Sequence, residues 1–213
     1  MPVLRVLLVD DHTFFRAGLR NMLADEGFEV AEARSGAQAL DVVAARAPDV
    51  VLMDLHMPGM SGIEATRRLA ELAPGARVVM LTVSADQDEI VEAVLAGACG
   101  YLLKDASIEE IVGSLRAAVA GASWASPNVA AVLFDRVRAG GEPEPADDAL
   151  TALSDREREI LRLLADGKDN AEIGRELYIS PSTVKNHISA ILAKLGVHNR
   201  IQAAVYAVRR GLV

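Results

Sequence analysis

Four stretches of strand length are apolar on almost every position: VLRVLLV at 3–9, VVLM at 50–53, RVVMLTV at 77–83 and GYLL at 100–103. A strand with one face in water alternates apolar and polar residues, so strands of this kind need cover on both sides. Stretches of helical period lie between them, at 13–24, 36–46, 62–72, 87–96 and 107–120, and the chain thus supplies that cover itself. FEVAEA at 28–33 adds a strand whose alternation places it nearer a sheet edge. The pattern predicts an α/β fold, a doubly wound parallel sheet of five strands. Sites in such sheets gather outside the carboxyl ends of the strands.

The residues at those ends narrow the chemistry. The first strand ends in Asp10 and Asp11, the third in Asp54, the fourth in Thr82, and the fifth runs to Lys104. Taken alone, an Asp pair after a strand is a turn or a helix cap, Thr82 a good β-former and Tyr101 a half-buried strand aromatic. Together they converge on one crevice. Three carboxylates there repel, and the usual remedies are raised pKa values or a hard divalent cation. All the candidate ligands are oxygens, which favours Mg²⁺ over zinc. A lysine and a hydroxyl on neighbouring strands suit the oxygens of a phosphoryl group. The set describes an aspartate that becomes phosphorylated.

Charge divides the chain. Residues 1–125 carry 10 Lys and Arg against 18 Asp and Glu, residues 126–149 carry 2 against 5, and residues 150–213 carry 10 against 7, for net charges of −8, −3 and +3. From Leu177 onward there is no acidic residue, a tail suited to a polyanion. AGGEPEPADDA at 139–149 has the composition of an extended linker. The expected layout is a first domain at 1–121, a linker with a helix at 122–149 and a second domain at 150–213. MPVLRVLLVDD has no secretory character, which predicts a cytoplasmic protein. The uncharged window at 117–134 is interrupted by Gly121, Ser123, Ser126, Pro127 and Asn128, which argues against a membrane span. Cys99 is the only cysteine, excluding an internal disulfide and a cysteine-built zinc site; it is expected in the core.

VDD at 9–11, MDLHMPGMSG at 53–62, LT at 81–82 and GYLLKD at 100–105 resemble the receiver domain of two-component response regulators over roughly residues 3–120. The resemblance implies a flavodoxin-like fold with Asp54 as phosphoacceptor. Asp11, Asp54 and the backbone carbonyl of His56 would ligate Mg²⁺, with Asp10 acting mainly through water. Lys104 would pair with the phosphoryl group, Thr82 would move to hydrogen-bond it, and Tyr101 would swing inward with Thr82. Many receivers follow this lysine with proline, whereas Asp105 stands here, leaving the geometry of that peptide bond open. Haloacid-dehalogenase-type phosphatases also phosphorylate a strand-end Asp, but place a second Asp two residues on as general acid. His56 occupies that position, so no enzyme is expected.

The second domain shows itself through cap chemistry. Ser154-Asp155-Arg156-Glu157 has the form of a capping box, Gly167 can close the helix that follows, Asn170 is expected to cap AEIGRELYI, and Ser180-Pro181 opens the next helix. Two short helices with a tight connection suggest a helix-turn-helix. The segment from Leu153 to Ala207 resembles the LuxR-type DNA-binding domain, and receiver plus this module is the layout of the NarL/FixJ response regulators. On residues 182–195, Val184, Ile188, Ile191, Leu192 and Leu195 follow helical spacing and face the core, leaving Lys185, Asn186 and Ser189 for base edges. Thr183, His187 and Lys194 are expected at backbone phosphates. IQAAVYAVRRGLV resembles the dimer-forming helix of that module.

The function implied is a phosphorylation-switched transcription factor served by a sensor histidine kinase. It would bind promoter DNA, dimerise when phosphorylated or on DNA, and act on RNA polymerase. The opposite charges of the two halves also suggest that the receiver covers the recognition helix before phosphorylation. The alternative is a DNA-binding regulator whose receiver answers a ligand or protein instead of phosphorylation.

Overall fold

The structure, a computed structural model, describes residues 3–73, 75–83, 86–121, 124–125, 148–197 and 199–212. They fall into two compact units, one within residues 1–126 and the other within 127–213. Most of the stretch read as a linker, with the helix expected in it, lies outside the described residues. Among the described residues no helix is long and apolar enough to cross a membrane.

The first unit alternates strands and helices: β1 Arg5–Val9, α1 Thr13–Asp25, β2 Glu29–Ala33, α2 Gly36–Ala45, β3 Val50–Asp54, α3 Gly62–Leu72, β4 Arg77–Thr82, α4 Gln87–Ala96, β5 Gly100–Leu103 and α5 Ile108–Val119. The strands form a parallel sheet in the order β2-β1-β3-β4-β5. A two-residue strand, β6 Trp124–Ala125, extends it beside β5. It lies beyond the expected domain end at 121, because two residues are too few to show a period of two in sequence. The five expected strands and the five helices between and after them are all present. Every residue of central β3 is buried, whereas β2 is only part-buried, as its alternation predicts for an edge.

Strand register brings the chemistry together. Val9 lies opposite Met53, Asp54 opposite Leu81, and Thr82 opposite Leu103. The next residues along β1 and β5, Asp10 and Lys104, therefore emerge at the same edge as Asp54. Cys99 is buried, and burial pushes its thiol up to about 11, so it is an inert core residue.

The second unit contains α6 Asp148–Thr151, α7 Asp155–Ala165, α8 Asn170–Leu177, α9 Pro181–Leu195 and α10 Arg200–Arg209. Its core joins Ile160, Leu161 and Leu164 of α7 to Ile173 of α8, Val184, Ile188 and Ile191 of α9, and Ala203 and Ala207 of α10. Ser154 and Glu157 form the expected capping box, and Ser180 accepts from the Thr183 N–H with Pro181 in the first turn. The cap of α8 differs from expectation. Asp169, not Asn170, holds that position, because Glu172 lies three residues after Asp169 and closes a reciprocal capping box with it. Asn170 becomes the first helical residue, and its Oδ1 accepts from Arg200 at 3.1 Å.

Candidate functional site

Asp54 ends β3 with 3% of its surface exposed, and Asp10 follows β1 with 1%. The Lys104 ammonium stands between them, 2.8 Å from Asp54 Oδ2 and 2.7 Å from Asp10 Oδ2. Only the contact with Asp54 has hydrogen-bond geometry. Asp10 Oδ2, paired by charge with Lys104, and Asp11 Oδ1, 3.0 Å from His12 Nδ1, are buried and have no hydrogen-bond partner. Ligand atoms of Asp10, Asp11, His12 and Asp54 all lie within 4.8 Å of one another. Buried carboxylate oxygens that converge in this way with hydrogen-bonding capacity unfilled fit a hard divalent cation, which would relieve both the repulsion and the missing hydrogen bonds.

The site's electrostatics follow from its burial. Burial raises the Asp54 carboxyl above its ordinary value; Lys104 opposes the rise and Asp10 adds to it. Burial pulls the Lys104 ammonium down, but its close contacts with the Asp10 and Asp54 carboxylates outweigh that and leave it raised. The ammonium also sits 4.9 Å from the centroid of the Phe15 ring on α1.

Thr82 is fully buried at the end of β4. Tyr101, 2% exposed, points inward from β5, and burial raises its hydroxyl with help from Glu89 and Asp86. The His56 main chain donates a hydrogen bond to Asp54, while its exposed imidazole meets Glu89 at 2.8 Å. No peptide bond among the described residues is cis, which includes the one joining Lys104 to Asp105.

The second unit places α8 and α9 in a helix-turn-helix. A Cβ on Gly174 would come within 2.7 Å of the Ile179 carbonyl, so only glycine allows the two helices their tight connection. Tyr178, in the turn, closes α8 in the left-handed region at φ 56°, with its ring in solvent. On α9 the apolar positions Val184, Ile188, Ile191 and Leu195 face inward, and Lys185, Asn186 and Ser189 are exposed.

Comparison with known proteins agrees with both halves. Residues 6–116 match the response regulator receiver domain, and residues 151–207 match the bacterial regulatory proteins of the luxR family. The transcriptional regulatory protein LiaR of Bacillus subtilis is 44% identical over 213 residues, spanning 99% of this chain and 100% of LiaR. The chain belongs to the NarL/FixJ family of response regulators.

The nitrate/nitrite response regulator NarL of Escherichia coli is 37% identical over 94% of this chain and 93% of its own. The crystal structure of the response regulator ChrA from a heme-sensing two-component system is 40% identical, covers 100% of both chains and superposes with a TM-score of 0.54. The response regulator described here thus has a receiver and a LuxR-type DNA-binding domain.

Within this response regulator, Asp10, Asp11, Asp54 and Lys104 form one cluster, with Thr82 and Tyr101 on the adjoining strands. Lys194, expected at a backbone phosphate, is engaged within the second unit. Its ammonium lies 2.6 Å from Oε2 of the buried Glu157, a partner 37 residues away that helical spacing does not reveal. His12 joins the acidic cluster, its Nδ1 3.0 Å from Asp11 Oδ1; its place directly after the Asp pair was the available signal.

Proposed function

We propose that this response regulator is switched by phosphorylation of Asp54 from a sensor histidine kinase, and that the modified protein binds promoter DNA through α9. The carrying observation is the convergence of the Asp10, Asp11 and Asp54 carboxylates within 4.8 Å beside Lys104, with one oxygen each of Asp10 and Asp11 buried and lacking a hydrogen bond. Asp11, Asp54 and the His56 carbonyl are the residues to hold Mg²⁺, with Asp10 reaching it through water. The ion would supply positive charge that neutralises phosphoryl oxygens.

The remaining steps belong to the protein. A carboxylate oxygen of Asp54 attacks the phosphorus of a phosphohistidine; the O–P bond forms as the N–P bond breaks, and the imidazole nitrogen departs with its electron pair. Lys104 moves its ammonium from Asp54 onto the new phosphoryl oxygens. Thr82 supplies a hydroxyl to the same group, and Tyr101 occupies the interior beside it. The modification adds negative charge and acceptor oxygens where the chain already holds three carboxylates, which favours repacking around Thr82 and Tyr101.

For DNA, the solvent-facing placement of Lys185, Asn186 and Ser189 on α9 supports contacts to base edges. Thr183 and His187, half-buried nearby, suit backbone phosphates. Lys194 is left out of this interface because Glu157 engages it. Dimerisation through α10 would double the contacts of a single module, and RNA polymerase is the proposed downstream partner.

Incubation with a small-molecule phosphodonor and Mg²⁺, followed by intact-mass measurement, tests the reading. A gain of one phosphoryl group in the wild type and none in Asp54→Asn is expected. An unmodified wild type would favour control of the receiver by a ligand or protein.

A further inference from the structure

The main chain of Asp10 is held on several sides. Its N–H donates to the Ala33 carbonyl of β2 at 3.1 Å. Its carbonyl accepts from Arg16 Nη1 at 2.7 Å, and its Oδ1 accepts from the His12 N–H at 2.7 Å. Only Oδ2 is left without a hydrogen bond. Arg16 is itself braced: its Nε donates to Glu32 Oε1 at 3.1 Å, and the other oxygen of Glu32 accepts from Arg20 at 3.3 Å. The Arg16 side chain is 14% exposed, well shielded for a guanidinium.

This arrangement answers a problem the cluster creates. Three carboxylates with one ammonium among them repel, and that repulsion acts on the Asp10–Asp11 turn, which lies beyond the last ladder residue of β1. A guanidinium fork that binds the turn's carbonyl from α1 while anchored on β2 opposes that push and brings positive charge to the rear of the cluster.

We propose that Arg16, braced by Glu32, is a positioning residue for cation binding. It keeps the carboxylates of Asp10 and Asp11 convergent on Asp54 before any cation arrives. The inference rests on the Mg²⁺ site assigned above. Arg16 bonds the Asp10 carbonyl and Glu32, not the carboxylates that face Asp54. Its effect runs through the Asp10 carbonyl, as partners of metal-ligating residues commonly act, with losses of roughly 10- to 100-fold in affinity when they are removed.

The test is the Mg²⁺ dissociation constant of the unphosphorylated full chain, measured by titration calorimetry. Thermal unfolding in EDTA is run beside it to separate a local from a global effect. Arg16→Ala is expected to weaken Mg²⁺ by roughly 10-fold or more. Arg16→Lys should recover only part of this, because a single ammonium cannot span the carbonyl and Glu32 together. Glu32→Gln should weaken binding several-fold and serves as the deciding variant if Arg16→Ala fails to fold. Mg²⁺ binding by a folded Arg16→Ala, or otherwise by Glu32→Gln, within twofold of wild type overturns the inference. A wild type that binds no Mg²⁺, or binds no better than Asp54→Asn, overturns instead the site assignment beneath it.

Discussion

Gly62 rests against the main chain of Asp54: a Cβ placed on Gly62 would stand 2.0 Å from the Asp54 carbonyl oxygen. The contact is between backbones, so no side chain can rotate to relieve it. It sets α3 directly beneath the end of β3, with the Gly62 N–H donating to the Leu55 carbonyl at 2.9 Å. Gly62→Ala is therefore expected to destabilise the receiver by about 3 kcal/mol, at the upper end of overpacking costs, and to displace Asp54. Chemical denaturation together with phosphodonor labelling checks this. Labelling at the wild-type rate in a stably folded variant would show that the close approach has no part in placing Asp54.

Asp54 carries a cost of its own. Burial raises its carboxyl in the folded chain above the ordinary 3.8. The folded state thus disfavours the ionised form; the penalty is absent below the unfolded pKa and complete once pH exceeds the raised folded value. At pH 7 the full penalty applies. Asp54→Asn should stabilise the receiver and raise its Tm when Mg²⁺ is absent, because Lys104 keeps Asp10 as a partner and one repelling carboxylate is gone. Mg²⁺ should then stabilise wild type more than the variant, since it binds the folded acidic cluster. Thermal scans of both proteins in EDTA and in Mg²⁺ provide the check, and a variant less stable than wild type in EDTA would contradict the argument.

Much of this was legible in the residues themselves. Strands apolar on both faces announce a covered parallel sheet, and once that is known, Asp10, Asp11, Asp54 and Lys104 must share an edge. Caps were legible where a second signal accompanied the hydroxyl: Glu157 three residues after Ser154, and Pro181 directly after Ser180. At Asp169 and Asn170 two competent side chains adjoin, and the choice fell to the one with Glu172 three residues later. What stayed hidden was pairing at long range. Glu157 meeting Lys194, Glu89 meeting His56 and Arg16 reaching the Asp10 carbonyl all depend on how separate elements dock, which no local period encodes.

The pairing of Glu157 with Lys194 makes the second unit sensitive to acid. Lys194, the largest influence, and the Ser154 N–H hold the Glu157 carboxyl down at about 2, against an ordinary 4.5. A depressed carboxyl stabilises the fold above its unfolded pKa, and that contribution fades as pH falls from 4.5 toward 2. Such a shift is worth at most about 3 kcal/mol, and nearer 1 kcal/mol given that Lys194 is partly open to water. Unfolding followed through the methyl signals of Ile160 and Ile191 should show this loss in wild type, whereas Glu157→Gln should be flatter across the same range. Equal acid sensitivity in the two proteins would mean that the pair contributes nothing.

The same pair separates two lysines of α9 that sequence alone treats alike. Lys185 is exposed on the face with Asn186 and Ser189, whereas Lys194 is spent on Glu157. Lys185→Ala should weaken binding to the specific promoter site by about 1 to 3 kcal/mol, roughly 5- to 150-fold, without changing phosphorylation of Asp54. Lys194→Met should leave the salt dependence of DNA binding as it is, since no phosphate contact is lost, while lowering the stability of the second unit. Binding isotherms at several salt concentrations distinguish the cases, because each phosphate contact removed reduces the slope by about one. A shallower slope in Lys194→Met would return that lysine to the DNA backbone and show that its bond to Glu157 opens in the complex.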